Sequence, residues 1–490
     1  MPGLHELEYT DHKSIDPFNA KITTLNNGIR VATEPHFGEF CTIAVAIESG
    51  SRYEIEYPLG TSHYIQKLAF ARSRNFPNSD SCHQILERHG AIVDCQSSKD
   101  TFIYGASCHV DGVDDIMAIV SDTIIRPVIE EEEINLAGEI ICAERKELDR
   151  NPECEPLLTD WIHTAAFRGN TLGLSKYCDL VPIYANTVKP EHLHTYLKQH
   201  HAPERMVIAG VGVDHDVLVE AAKKHFDMKS ATWNSPSVSL LPKIPEVDHS
   251  LAQYTGGEMY VPRDLSEKGL GPSSYPNLAH VVLGFESCGY KDPDFVPFCV
   301  LQSLMGGGNS FSAGGPGKGM YTRLYTDVLN QYHAIFSAIS YNHAYADDGI
   351  FCISASSDPQ HMREVSQIIA HEFFRLRHQI HDEELKRAKV QLKSQLMMNL
   401  EVRPVMVEDL ARQIIGHGYR RKPQEYLDLI DKVTAADINR VSERMLVSKP
   451  SVVGYGDLKN FPTYGQFDRA VATRSVEELK KKSFMSKILS

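Results

Sequence analysis

Hydrophobic and polar positions along the chain switch between a period of two and a period near 3.6, and each switch marks a predicted element. Ile22-Thr23-Thr24-Leu25 and Ile29-Arg30-Val31-Ala32 alternate like half-buried strands, with Asn26-Asn27-Gly28 as the turn between them. A strand over 42–48 ends in Ser49-Gly50-Ser51-Arg52. Helices are predicted over 61–71 and 81–89, strands over 91–96 and 101–109, and two long helices over 113–125 and 131–149. Helices over 157–166 and 191–198 then lead to the apolar strand 206–212, Met-Val-Ile-Ala-Gly-Val-Gly.

The same order returns further on. A strand over 280–286 ends in Ser287-Cys288-Gly289-Tyr290, and the spacing of Phe298, Leu301, Leu304 and Met305 predicts a helix over 295–305. Strands near 333–341 and 349–354, helices over 362–377 and 382–401, and a closing strand over 451–457 complete the second pass. The repeat is sharpest where 129–134 (IEEEEI) matches 380–385 (IHDEEL), an offset of 251 residues. Such a repeat predicts a duplicated α+β domain, each copy a mostly antiparallel sheet packed with helices. The Ser- and Pro-rich stretch 229–245 marks the join. The predicted division is an N-terminal extension over 1–20, a first domain over 21–228, a linker over 229–250 and a second domain over 251–480.

Composition narrows the class. A chain of 490 residues, 42% hydrophobic and 23% charged, is soluble-globular in character and long enough for two cores. No apolar run reaches the roughly 18 residues of a membrane span. A net charge of −14 argues against nucleic acid and is compatible with basic ligands. Ten scattered cysteines without a C-x-x-C pair read as reduced core thiols. The first twenty residues carry Glu6, Glu8, Asp11 and Asp16, unlike the basic, acid-poor pattern of a mitochondrial transit peptide, and no such peptide is recognised.

Between the second-half helix and strand lies 306–319, GGGNSFSAGGPGKG, in which seven of fourteen residues are glycine. Linkers rarely carry Phe, Pro and Lys among their glycines. A phosphate loop needs Ser or Thr after Gly-Lys, and here Gly317-Lys318 precedes Gly319. A loop that contacts a peptide or partner is the reading that remains. This stretch resembles the glycine-rich loop of mitochondrial processing peptidase α-subunits, in the pitrilysin-type (inverted zinc-motif) metallopeptidase superfamily. The resemblance runs from about Lys21 to about Thr463, and Asn309 stands where those relatives usually have a fourth glycine.

Active members of the superfamily hold zinc with H-x-x-E-H on a helix plus a distal Glu. The corresponding stretch is His63-Tyr64-Ile65-Gln66-Lys67, followed after 76 residues by Glu144, the family spacing. Gln66 has no carboxylate to act as base, and the Lys67 ammonium has no lone pair for a metal. His63, Lys67 and Glu144 are therefore read as vestigial positions, with neither metal nor catalytic residue in this chain. Two readings of this pocket are weighed: His63 as an ordinary half-buried helix residue, and a Lys67–Glu144 ion pair filling the cage. The other polar features have plain readings. His192 and His194 face different ways on their helix, His200-His201 is a solvated helix end, and Glu130–Glu133 is either dipole-favoured charge or an attraction for basic peptides.

The resemblance implies a substrate-recognising, non-catalytic subunit that removes presequences from imported precursors in the mitochondrial matrix with a catalytic, zinc-bearing β-subunit. Gly306, Gly307, Gly308, Asn309, Ser310, Phe311, Ser312, Gly314, Gly315, Gly317, Lys318 and Gly319 would bind the presequence, Phe311 and Met320 supplying apolar contacts. The alternative from the same fold is a structural core subunit of the inner-membrane cytochrome bc1 complex.

Overall fold

The computed structural model describes residues 16, 18–150, 154–169, 171–177, 187–266, 277–310, 319–377 and 380–480. In the first half the chain forms β1 (Lys21–Thr24), β2 (Arg30–Glu34), β3 (Phe40–Ile47), α1 (Thr61–Leu68), α2 (Ser79–Arg88), β4 (Ile92–Ser97) and β5 (Phe102–His109). There follow α3 (Val113–Ile125), α4 (Glu131–Arg150), α5 (Glu155–Ala166), α6 (Pro190–His200), β6 (Met206–Val211) and α7 (His215–His225). The second half has β7 (Gly257–Pro262), β8 (Ala279–Glu286), α8 (Phe295–Met305), β9 (Gly307–Asn309), a π-helical turn Leu324–Leu329, β10 (Ile335–Ala344) and β11 (Gly349–Ser357). It closes with α9 (Met362–Arg375), α10 (Asp382–Asn399), α11 (Arg403–His417), α12 (Pro423–Lys432), α13 (Ala435–Val447), β12 (Ser451–Gly456) and α14 (Tyr464–Thr473).

The two halves carry one topology. Their sheets run β1-β2-β6-β3-β5-β4 and β7-β12-β8-β11-β10-β9. The order β2-β6-β3-β5-β4 superposes on β7-β12-β8-β11-β10 strand for strand. In each copy the pair formed by the first and last of these strands in chain order is parallel, and the remaining pairs are antiparallel. The duplicated α+β plan expected from the repeat is the plan observed. The copies differ at their edges: β1 is added at one end of the first sheet, and β9, cut from the glycine-rich stretch, at the opposite end of the second.

Packing ties the halves together. One face of the first sheet meets α1, α3 and α7 through Val31, Ile43, Val45 and Ile208, all fully buried. Its other face is lined with small side chains, Ala32, Ala44, Ala46 and Ala209. Small residues let a helix backbone come close, and the helix that does so is α11 of the second half, through Met406, Val407, Leu410 and Ile414. Reciprocally, α5 of the first half lays Leu158, Trp161, Ile162 and Ala165 on Val282, Ile350, Val453 and Tyr455 of the second sheet. Each sheet is thus covered on one face by the other half's helix.

α1 stops at Leu68, three residues short of the span read from its pattern. Ala69 is extended and Phe70 takes a φ of 58°, which ends the helix.

Candidate functional site

The vestigial motif rides on α1, and Glu54 fixes where that helix begins. Its carboxylate, fully buried, accepts from the backbone N–H of Gly60 at 2.7 Å and of Ser62 at 2.6 Å, taking up donors that a helix N-terminus leaves unpaired. Burial pushes this carboxyl up to about 7, against the pull of those bonds. α1 packs on α4, which brings His63, Lys67 and Glu144 together although 76 residues separate the last two.

The Lys67 ammonium sits 2.7 Å from Glu144 Oε2, and His63 Nε2 lies 3.0 Å from the same oxygen. The His63 hydrogen bond, then that of Lys67, holds the Glu144 carboxyl down at about 2 despite the opposing effect of burial. His63 is 4% exposed and meets the ring of Tyr177 edge-on at 5.9 Å. Gln66 turns away, donating from Nε2 to the Cys95 carbonyl of β4 at 3.2 Å. A zinc ion does not fit this donor set: a cation already occupies the oxygen that would bind it, and the amide in place of the general base is spent on the backbone. Among the described residues no group of three His, Cys, Asp or Glu side chains is placed to hold a metal.

The glycine-rich stretch lies on the second half. Its first residues are not an open loop, because Gly307–Asn309 pair antiparallel with Ser337–Ile339 of β10 as edge strand β9. Their glycines also have packing reasons. A Cβ on Gly307, at φ 97°, would stand 2.0 Å from the Ala338 carbonyl oxygen, and one on Gly308 would stand 2.1 Å from the Tyr325 hydroxyl. Gly306 is equally closed in by Thr322. On the far side Gly319 accepts from the Thr322 N–H at 3.0 Å and from its hydroxyl at 2.8 Å. Arg323 then grips Glu384 through Nε and Nη2 at 3.0 and 2.6 Å. Phe311, Ser312, Gly314, Gly315, Gly317 and Lys318 lie outside the described residues. Met320 and Tyr321, just beyond them, are exposed and border a cavity of about 320 Å³ against α10.

Three other expectations change. His200 and His201 are not a solvated helix end; both are buried, and burial pushes each down to about 3, so they are neutral core groups. Within the acidic run, Glu133 is buried, paired with Arg72, and bonded through Oε2 to the Glu130 N–H at 3.2 Å. Of the described cysteines Cys142 is exposed, whereas Cys41, Cys82, Cys108, Cys154, Cys288 and Cys352 are buried.

Known proteins share this sequence over most of its length. The family described as Insulinase (Peptidase family M16) matches residues 30–180, and that described as Peptidase M16 inactive domain matches residues 187–392. The mitochondrial-processing peptidase subunit alpha of Caenorhabditis elegans is 48% identical over 462 residues, covering 94% of this chain and 89% of the relative. The Bos taurus protein of the same name is 43% identical over 474 residues, covering 97% and 89%. This chain belongs to the mitochondrial-processing peptidase α-subunit family. The fungal α-subunit of Neurospora crassa extends the match at 33% identity, with 89% of this chain covered. These names favour a processing-peptidase α-subunit over a cytochrome bc1 core subunit. The first M16 match lies within the first half, and the second begins ahead of α6 in the first half and runs into α10 of the second.

Proposed function

We propose that this chain is the non-catalytic, substrate-recognising subunit of a heterodimeric processing peptidase in the mitochondrial matrix. A zinc-bearing β-subunit supplies the hydrolytic chemistry, and presequence peptides of imported precursors are the ligands. The observation that carries the non-catalytic part is the Lys67–Glu144 ion pair of 2.7 Å, which puts a fixed cation where a metal would need an oxygen ligand. The family of the relatives, named as subunits of a peptidase, supports the partner. The stretch 306–319 supports the recognition role: Gly306–Asn309 and Gly319 hold it at its two ends, and the peptide contacts are assigned to 310–318, Phe311 among them. Lys318, itself a cation, is not the group that attracts a basic presequence.

The test is cleavage of a presequence peptide by this chain co-expressed with a catalytic β-subunit, intact and with 310–318 deleted. Cleavage that needs both chains and collapses on deletion, while the heterodimer persists, is the expected result. A pair that does not assemble, or that cleaves no faster than β alone, would overturn the reading.

A further inference from the structure

Cys41 of β3 and Cys108 of β5 face each other within the first sheet. They are Cα partners in its antiparallel ladder, and their sulfurs stand 3.7 Å apart. Residues directly opposite in such a ladder have Cα atoms about 4.5–5.5 Å apart, inside the range of about 4.4–6.8 Å that a disulfide spans. The backbone therefore already stands where a bridge needs it. Only the side-chain torsions have to turn to bring the sulfurs to a bonding distance of about 2.05 Å.

Two features make the pair reactive although both residues are buried. The first is its place at the end of the ladder. One rung further out, at Phe40↔His109, β3 and β5 part, and Phe40 is exposed. End rungs open locally at far lower cost than the middle of a sheet, which admits a molecule close to the size of water. The second is electrostatic. Arg403, the first residue of α11, donates to the Phe37 and Phe40 carbonyls at 2.6 Å each, which sets its cation beside the Cys41 end of β3. The hydrogen bond with Cys108 holds the Cys41 thiol below its ordinary range; burial opposes this and Arg403 adds to it. Cys108, through the same bond and its burial, is pushed upward. Cys41 is thus the thiolate-forming member and Cys108 the resolving thiol.

We propose that Cys41 and Cys108 form a reversible disulfide, with a hydroperoxide as oxidant and a dithiol as reductant. The Cys41 thiolate attacks one oxygen of hydrogen peroxide, the O–O bond breaks, and the departing hydroxide becomes water with the proton that Cys41 gave up. Cys108 then attacks the sulfenic sulfur; the S–S bond forms, the S–O bond breaks, and the hydroxyl leaves with the Cys108 proton as a second water. Over both steps each sulfur gives up one electron, and the two peroxide oxygens take them. The bridge joins positions 67 residues apart and closes a loop that carries α1, α2 and β4. It also pins the end of the first sheet where Arg403 ties it to α11. The site is separate from the vestigial ion pair and the glycine-rich stretch, and it does not rest on the presequence reading.

The test treats the reduced, folded full chain with hydrogen peroxide, blocks remaining thiols with N-ethylmaleimide and maps the digest by mass spectrometry. A peptide linked through Cys41 and Cys108, lost again on dithiothreitol treatment, is expected, with a melting temperature about 3 °C above that of the reduced chain. Exposed Cys142 reports that peroxide has acted. With dimedone present, Cys108→Ser should accumulate an adduct on Cys41, whereas Cys41→Ser should give none on Cys108. The wild-type map needs neither variant to fold. Oxidation of Cys142 without the linked peptide, a link that forms only in urea, or an adduct on Cys108 in place of Cys41 would overturn the proposal.

Discussion

Lys67 and Glu144 form an ion pair at the place where active members of the superfamily are expected to hold a metal. One carboxylate oxygen receives both the ammonium at 2.7 Å and His63 Nε2 at 3.0 Å, so the pocket is filled by charge that balances locally. The pH dependence follows from the direction of the shift. A carboxyl held at about 2 rather than its ordinary 4.5 contributes stability above pH 4.5 and loses it as pH falls through about 2. Replacing Lys67 by Met removes one of the two partners and lets the Glu144 carboxyl rise part of the way back. The expected cost is about 1 kcal/mol at neutral pH, allowing for the screening of a carboxylate one-third exposed. Urea unfolding of wild type and Lys67→Met from pH 7 down to 3 should show the difference shrinking as Glu144 protonates. A constant difference across that range would mean that Lys67 acts through the packing of its alkyl stem.

At the scale of elements, the glycine-rich stretch has two parts with different demands. Gly307 combines a φ of 97° with a carbonyl oxygen 2.0 Å from any Cβ, whereas Gly90, at φ 56°, has nothing within 4 Å. Gly90→Ala therefore costs only backbone strain, about 1 kcal/mol. Gly307→Ala adds a clash within the β9–β10 ladder, on the order of 3 kcal/mol in all, and should release β9 from the sheet. Denaturation midpoints of the two variants, with hydrogen exchange across 335–344, separate these outcomes; equal midpoints would contradict the packing role of Gly307. This division also shows how far local sequence reaches. Strands such as β3, β5, β6 and β11 and the helices α3 and α8 were readable because their apolar period reports a face buried against their own half. β9 was not, since Gly-Gly-Asn has no side-chain period, and β7 forms only by pairing with β12 from far along the chain. α11 to α14 went unread as well; α11 buries its stripe on the first sheet, which nothing nearby in sequence announces. His63, Lys67 and Glu144 were found through the resemblance, by laying the superfamily's motif and its distal-Glu spacing on this sequence. The turn of Gln66 toward Cys95, the burial of His200 and His201, and the meeting of Cys41 with Cys108 depend on elements that converge only in three dimensions.

At the scale of the whole chain, the reciprocal placement of α5 and α11 makes the two halves one folding unit, and its polar counterpart is Arg52–Asp347. The guanidinium meets both carboxylate oxygens, at 3.1 and 2.7 Å, with the side chains 7% and 11% exposed. Asp347 also accepts from the Ala252 N–H at 2.8 Å, so the pair ties the first sheet's end, the inter-half segment and the β10–β11 turn together. Burial would push the Asp347 carboxyl up; the Arg52 hydrogen bond and charge together with the Ala252 N–H reverse this and hold it below its ordinary 3.8. Its contribution is therefore present above that value and fades as pH falls through the depressed one. Removing either partner leaves a buried charge without its counter-ion, a loss of about 3–5 kcal/mol. Arg52→Ala and Asp347→Ala should each lower stability by that order, and the double variant by much less than their sum, because the second substitution relieves the stranded charge left by the first. Calorimetry of all four proteins at neutral pH checks this. It should also show a single cooperative transition in the wild type, since neither sheet can bury both faces without the other half's helix. Additive losses, or two resolved transitions, would mean that the halves are joined only by their connecting segment.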